Sequence, residues 1–200
     1  MIFVRYESLK QYLRLYPVNS AIIAANLVMF VLVAIAGGPS NTDALLKYGM
    51  VTNDPAHDEL WRFAAALFLH AGLAHLAMNM FAIFVFAAPL ERLFGHVRYA
   101  FFYLIAGMLG NAFAVAFAQG LWYAVGASTS IYAIYGAYLF IAIFRRHALD
   151  QGSRTTILSI LAIGLVMSFI VPGIGYWAHV GGLLAGFVLY GLMGSRFLRT

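Results

Sequence analysis

Three consecutive hydroxyl side chains interrupt an otherwise apolar part of the sequence. Ser128, Thr129 and Ser130 lie within VGASTSIYAIYG, residues 125–136. A serine becomes a usable nucleophile when a base within hydrogen-bonding distance accepts its proton, and a neutral histidine in an apolar environment is a suitable base. The sequence offers such a base in His179, near the start of a later apolar segment. Acyl transfer by a serine and a histidine is therefore one chemistry that these residues permit.

Other polar side chains within the apolar segments are few. The notable ones are His70, His75, Asn79 and Asn111, and no Asp or Glu lies inside a predicted span. Without carboxylates, an acidic proton relay, a two-metal site and a glycosidase-like carboxylate pair are all disfavoured. His75 and Asn79 share one helix face, whereas His70 and His75 would point roughly 140° apart on a helix. We therefore predict no one-face histidine pair for a metal, and no metal or organic cofactor.

The composition indicates whether the chain folds in water or in a membrane. Hydrophobic residues make up 64% of the 200 residues and charged residues 10%, with a mean hydropathy of +0.87. Soluble domains carry roughly 25% charged residues, so the sequence predicts a membrane protein. There are no cysteines, which excludes a disulfide framework and a thiolate metal site.

Apolar runs long enough to cross a membrane occur six times. A helix needs about 20 apolar residues to cross a hydrocarbon core roughly 30 Å thick. The six runs are residues 18–37, 63–88, 99–118, 121–143, 155–172 and 176–194, with breaks at Gly120 and at Pro172–Gly173 that predict tight turns. The predicted fold is an all-α, six-helix membrane bundle forming one domain over residues 1–200. Residues 1–17 precede it, and residues 38–62 form an outer loop expected to lie in the lipid interface.

The distribution of basic residues predicts the orientation of this bundle. Lysines and arginines near membrane ends tend to remain cytoplasmic. Ten of the twelve basic residues share one side, namely Arg5, Lys10, Arg14, Arg92, Arg98, Arg145, Arg146, Arg154, Arg196 and Arg199. Both termini are therefore predicted to be cytoplasmic. The formal net charge of +5 is explained by orientation, so no nucleic-acid partner is predicted. The first span begins too late, and lacks a small-residue cleavage site, for a removable signal peptide.

Four stretches of the sequence, in order, are shared with a known family. They are ELWRFAAALFLHAGLAHLAMNM, PLERLFG, GASTSIYAIYG and AHVGGLLAG. With them the chain resembles the rhomboid intramembrane serine proteases, six-helix proteins that cut other membrane proteins within or beside a transmembrane helix. The resemblance extends over nearly the whole chain from about residue 55 onward. It implies transmembrane protein substrates and lipid surroundings.

The resemblance also implies roles for individual residues. Ser128, in a G-x-S motif that begins at Gly126, corresponds to the nucleophile and His179 to the general base, with no acidic third member. His75 and Asn79 correspond to the groups that stabilise the oxyanion, together with the Ser128 N–H. The supporting positions are Tyr132, which would pack against the base, the outer-loop pair Trp61–Arg62, and Glu91–Arg92 with Gly95 in a cytoplasmic turn.

Thr129 departs from the family, in which glycine usually follows the nucleophile. A threonine Cβ could crowd the oxyanion site or the pocket for the residue before the cut, and a β-branched residue could not follow glycine to positive φ. If the backbone there is plain helix, Thr129 would be accommodated and would only trim the pocket.

Two alternatives to an intramembrane protease stay open. The first is a catalytically silent relative that binds transmembrane clients, for which loss of the serine or the histidine would be the signature. The second is a redox or transport protein that uses His75 and His179 as a bis-histidine pair, which would be coloured or would bind a metal. Singly, Ser128 is typical of a helix N-cap and Trp61–Arg62 of an interface anchor, while His70 is interpreted as structural or water-facing. A compact six-span chain favours a bacterial or archaeal plasma membrane.

Overall fold

The chain folds as a bundle of membrane-length helices. The computed structural model describes residues 2–171 and 173–194. Pro172, Arg196 and Arg199, which contribute to the predicted turn and orientation, lie outside the described residues. The predicted all-α membrane bundle is confirmed, whereas the side of the membrane on which the termini lie and the single-domain boundary stay predictions.

Ten α-helices and one two-stranded sheet occur in the described part of the chain. The helices are α1 (Leu9–Leu15), α2 (Pro17–Ile35), α3 (Thr42–Lys47), α4 (Arg62–Ala65), α5 (Leu73–Ala82), α6 (Ala88–Phe94), α7 (His96–Phe117), α8 (Ser128–Phe144), α9 (Gln151–Ile170) and α10 (Tyr176–Gly194). The strands β1 (Val51–Thr52) and β2 (Tyr123–Ala124) pair antiparallel, with Val51 opposite Ala124. Short 3₁₀ turns are Pro55–His57, Ala66–Phe68 and Arg146–Ala148.

Six segments have the length or composition of membrane crossings. Five of them, α2, Leu73–Phe94, α7, α9 and α10, are long and apolar enough to span, and α8 is a shorter apolar helix. The segment Leu73–Phe94 joins α5 and α6 through a π-helical turn at Ile83–Ala87. Pro89 follows this turn. Because proline has no N–H to donate, a wider turn just before it is a usual way of continuing a helix.

Two predicted span boundaries are wrong. The sequence predicts the second span over 63–88, but its continuous helix runs from Leu73 to Phe94, because α4 ends at Ala65 and residues 66–72 form a 3₁₀ turn and an irregular stretch. It predicts the fourth span from 121, but α8 begins at Ser128 after an irregular stretch that contains β2. Hydropathy cannot separate an apolar loop from an apolar helix, so both ends are misplaced.

Helix α8 is the centre of the bundle. It buries most of its length, and its neighbours α7 and α10 approach it closely through glycines. A Cβ on Gly186 would collide with the Ala133 backbone, one on Gly136 with the Leu183 backbone, and one on Gly182 with the carbonyl of Thr129. The glycines of α8 and α10 therefore allow the two helices to approach closely.

At the end of the bundle where the basic residues cluster, a buried carboxylate links two helices. Glu91 in α6 is completely buried and accepts hydrogen bonds from the Val18 and Asn19 N–H groups at 3.1 and 2.8 Å. These are unpaired donors of the first turn of α2, where a carboxylate is favourable. His96 Nδ1 lies 2.6 Å from the same carboxylate. Glu91 therefore caps α2 while anchoring the turn before α7.

Candidate active site

Ser128 and His179 lie within hydrogen-bonding distance although they are 51 residues apart. His179 Nε2 is 2.9 Å from Ser128 Oγ. Ser128 is the first residue of α8 and half-buried, and His179 lies in the first turn of α10 with 8% of its surface exposed. The glycine contacts between α8 and α10 fix the two helix starts relative to each other. A partly shielded serine with an imidazole aimed at its oxygen is an arrangement that permits nucleophilic attack.

The hydrogen bonds beyond His179 determine which of its nitrogens carries the proton. Ser168 Oγ in α9 lies 2.7 Å from His179 Nδ1 and donates its one proton to the Gly164 carbonyl at 2.6 Å. Since a hydroxyl has a single proton to give, Ser168 must accept from His179 Nδ1–H. Nε2 is then the unprotonated nitrogen, which accepts a hydrogen bond from the Ser128 hydroxyl. This tautomer is the one that a general base requires.

Tyr132 fixes the plane of the imidazole. Its ring stacks on His179 with centroids 4.1 Å apart and an interplanar angle of 11°. Its hydroxyl lies 3.1 Å from Ser168 Oγ, and because the Ser168 proton is already given to Gly164, the tyrosine is the donor. Tyr132 lies one helical turn after Ser128 on α8. The His179 imidazole is thus held by α8 on its face and by α9 at its distal nitrogen.

The lack of a side chain at Gly126 allows His75 to lie beside Ser128. The Gly126 φ of +135° is one that side-chain-bearing residues rarely adopt, and a Cβ there would lie 2.8 Å from His75 Nε2 and 3.4 Å from Ser128 Oγ. The two side chains therefore border the same small space. The Gly126 N–H donates to the Ala66 carbonyl at 2.8 Å, which fixes the strand that enters α8. N–H groups of the first turn of α8 have no intrahelical partner and are available as donors to an anion.

Asn79 and His70 both contact His75. The Asn79 amide donates to the His75 carbonyl at 2.9 Å and is buried. The His70 and His75 rings meet edge to face with centroids 5.0 Å apart. The prediction that these two histidines point apart is wrong, because α5 begins at Leu73 and His70 lies in the irregular stretch before it. No group of three or more potential metal ligands occurs in residues 2–171 and 173–194.

Thr129 lies in plain helix, and its side chain is used elsewhere. Among the described residues only glycines have positive φ, so no strain arises at Thr129. Its Oγ1 donates to Asn111 Oδ1 at 3.1 Å, and its methyl group fills the space beside Gly110. Asn111 in turn donates to the Phe63 carbonyl at 2.9 Å. The threonine therefore packs between α7 and α10 and links them to α4.

Trp61 and Arg62 organise the outer loop and make no described contact with Ser128 or His179. Arg62 is buried, with hydrogen bonds of 2.6 Å to the Leu46 carbonyl and 2.6 Å to Glu59. Its guanidinium lies 4.9 Å from the Trp61 ring centroid, and Trp61 packs on Gly49. The hydrogen bond from Arg62 lowers the pKa of the exposed Glu59 carboxyl. That the loop lies in the lipid interface stays a prediction.

Ser168 is a member of the site that the sequence does not reveal. It lies in an apolar stretch 11 residues before His179, with no motif or acidic neighbour to single it out. Serines in membrane helices usually bond to their own backbone, and Ser168 does so with Gly164. Only the packing of α9 against α10 shows that it also meets the imidazole.

The chain is similar in sequence to known proteins. A family model described as Rhomboid domain matches residues 57–196. Among curated proteins, the chain is 34% identical over 193 residues to YdcA of Bacillus subtilis (strain 168), covering 94% of each. It is 35% identical over 173 residues to "Rhomboid protease GluP" of the same organism, covering 86% of this chain and 34% of that protein. It is 27% identical over 144 residues to "Rhomboid-type serine protease 2" of Emericella nidulans, covering 70% of this chain and 28% of that protein. The chain thus spans nearly all of YdcA and about a third of GluP.

Proposed function

Because this chain belongs to the rhomboid family, we propose that it is an intramembrane serine endopeptidase working through a Ser128–His179 dyad. The names of its relatives support a membrane-bound serine protease at the level of the family. The observation that carries the finer proposal is the 2.9 Å contact between His179 Nε2 and Ser128 Oγ, with the distal nitrogen occupied by Ser168.

The first step is attack on the scissile carbonyl. Ser128 Oγ adds to the carbonyl carbon while its proton passes to His179 Nε2. The imidazole needs no acidic partner, because its Nδ1–H already donates to the Ser168 hydroxyl and its ring is held by Tyr132. Orientation of the base is thereby supplied by neutral groups.

The oxyanion that forms is stabilised by donors around the same space. We assign this role to the Ser128 N–H and the His75 imidazole, which borders Gly126. Asn79, whose amide donates to the His75 carbonyl, contributes by fixing the α5 turn that carries His75. Losing one oxyanion donor typically lowers the rate on the order of 10²- to 10³-fold.

Collapse of the tetrahedral intermediate completes acylation. The scissile C–N bond breaks as the leaving amine takes the proton from His179. A water molecule then gives a proton to the same histidine and adds to the acyl carbon, and the bond from that carbon to Ser128 Oγ breaks as the proton returns to the serine. The substrate is a transmembrane protein whose helix unwinds near its outer end, aided by small residues. It enters from the side of the bundle, and the setting is the plasma membrane of a bacterium or archaeon.

A cleavage assay in liposomes tests this proposal. The purified protein would be offered a transmembrane helix with small residues near its outer end, beside Ser128→Ala, His179→Ala and Ser130→Ala. Ser130 is the matched control, because its buried hydroxyl donates to the Tyr103 carbonyl and not to the base. We expect the first two variants to lose cleavage by at least ~10³-fold and Ser130→Ala to retain it. A folded wild type that binds the helix without cutting it would instead favour the silent, client-binding alternative.

A further inference from the structure

A cavity lies at the end of the bundle where the basic residues cluster, and neither Ser128 nor His179 lines it. Its volume is about 540 Å³, and it is enclosed by the N-terminal segment, defined as residues 2–8, and by the ends of α6, α8 and α10. Its wall is mainly apolar, with Val4, Leu93, Ile141 and Leu149, and tyrosine rings complete it. A cavity of this size and character suits a hydrocarbon chain.

The N-terminal segment forms a fixed wall of this cavity. Phe3 is 6% exposed and packs edge to face on Phe86 and Tyr138, at centroid distances of 5.0 and 5.2 Å. The Ile2 N–H donates to Ser153 Oγ in the first turn of α9 at 2.8 Å. The segment, predicted only to precede the first span, is thus docked into the bundle core. The wall that this segment contributes to the cavity is therefore held in place by packing and a hydrogen bond.

Among the described residues that line the cavity, the charged ones are two arginines and one glutamate. Arg5 lies 3.5 Å from Glu7 Oε1 and 3.4 Å from the Tyr16 hydroxyl. The Glu7 carboxylate also accepts from the Tyr16 hydroxyl at 2.9 Å, so its charge is met within the protein. Arg5 Nε is buried without a hydrogen-bond partner. Arg92 is exposed and has no hydrogen-bond or ion-pair partner among the described residues.

The exposed charge of Arg92 and the apolar wall together favour a ligand that has both an anionic group and a hydrocarbon chain. A phosphate at the mouth would receive hydrogen bonds from the exposed Arg92 guanidinium. The acyl chain would lie against Leu93, Ile141 and Leu149. Arg92 belongs to the last turn of a membrane-length helix, which is the depth of the lipid headgroups. Basic pockets between helices at this depth recognise anionic lipid headgroups.

We propose that this cavity is a binding site for one anionic phospholipid, with its phosphate at Arg92 and its acyl chain in the cavity. The bound lipid would also hold the N-terminal segment against the bundle, since residues of that segment form one wall. The site is independent of the dyad, so a Ser128→Ala variant would bind the lipid equally well.

Native mass spectrometry of the detergent-purified chain tests the proposal with phosphatidylglycerol and phosphatidylcholine of identical acyl chains. We expect one retained phosphatidylglycerol and a preference for it over phosphatidylcholine. Arg92→Gln should weaken phosphatidylglycerol retention about fivefold, from the usual contribution of one basic residue. Lys10→Gln is the matched control, because Lys10 is an exposed cation of α1 outside the cavity; it should leave retention unchanged.

Two more measurements distinguish a lipid site from a site for a free phosphate. Leu93→Trp fills the mouth at a residue that is 50% exposed, so it should lower retention without unfolding the protein, as circular dichroism would verify. Glycerol phosphate, which has the charge without the chain, should not displace the lipid. Equal retention of both lipids, equal effects of Arg92→Gln and Lys10→Gln, or displacement by glycerol phosphate would each overturn the proposal.

Discussion

Helices α8 and α9 both contact His179, but they are packed in opposite ways. α8 buries twelve of its 17 residues, whereas α9 buries three of its 20, namely Ser153, Ile157 and Ser168. α8 meets α10 backbone to backbone through glycines, so Ser128 and His179 cannot separate without breaking the core. α9 is held mainly at its two ends, by Ser153 and by Ser168. Ser128 and His179 are therefore carried by the two closely packed helices, and only the orientation of the imidazole depends on the loosely packed α9.

The largest effect should follow from enlarging a glycine between α8 and α10. Gly186→Leu places a side chain into the Ala133 backbone, and backbone cannot move aside as a side chain can. We expect a loss of at least ~3 kcal/mol in the free energy of unfolding, or no folded protein. The matched control is Ala162→Leu on the exposed face of α9, which should change the thermal midpoint little. Equal thermal midpoints for the two variants would show that α8 and α10 are not packed more tightly than α9.

A smaller effect is expected from removing the hydroxyl that α9 offers to the base. Ser168→Ala deletes the acceptor of His179 Nδ1–H but leaves Tyr132 stacked on the ring. Since a neutral hydrogen bond contributes about 0.5–1.5 kcal/mol, we expect kcat/KM for helix cleavage to fall about tenfold or less. Ser159→Ala, on the exposed face of the same helix, should have no effect. Unchanged kcat/KM in Ser168→Ala would show that α9 does not orient the base.

Thr129→Gly tests whether the threonine, which replaces the glycine usual in the family, lowers cleavage or only stabilises the helix packing. The substitution removes a buried methyl group beside Gly110 and the hydrogen bond to Asn111, and it places glycine in a helix. We expect a loss of about 1–3 kcal/mol in stability and no gain in cleavage per folded molecule. A rise in kcat/KM would mean that the threonine restricts the pocket after all.

The smallest effect concerns the outer loop and its pH dependence. Arg62 lowers the pKa of Glu59 in the folded state. The stability that the ionised Glu59 gives to the loop is therefore present above the ordinary carboxyl pKa, and it is lost as the pH falls through the pKa of the folded state. We therefore expect residues 42–50 to exchange amide hydrogens faster below about pH 4, after correction for intrinsic rates. Glu59→Gln should abolish this pH dependence. An identical pH response in that variant would assign the effect to another group.

The sequence predicts the fold class and the residues that meet at the site more successfully than the helix ends. Six apolar runs suffice for a bundle, because a membrane span must satisfy its backbone internally. The predicted starts at 63 and 121 are wrong because residues 66–72 and 121–127, although mostly apolar, lie outside the α-helices. The same error separates His70 from His75, whose rings touch across the start of α5.

Some of the site could not be predicted because it depends on packing alone. Ser168 reaches His179 only through the angle at which α9 meets α10, and no spacing along the chain encodes that angle. Phe3 likewise lies in a segment with no periodic pattern, and its burial depends on Phe86 and Tyr138 from distant helices. Thr129 is open to two interpretations from sequence, and the plain helical backbone leaves it in the helix interface.

The measurement that tests the central claim most directly is covalent labelling with a fluorophosphonate followed by peptide mapping of the adduct. We predict one adduct, on Ser128, which disappears in His179→Ala and forms more slowly in Ser168→Ala. Labelling of Ser130 or Ser168 instead, or labelling of Ser128 that is undiminished in a folded His179→Ala variant, would contradict the proposal that the imidazole activates this serine.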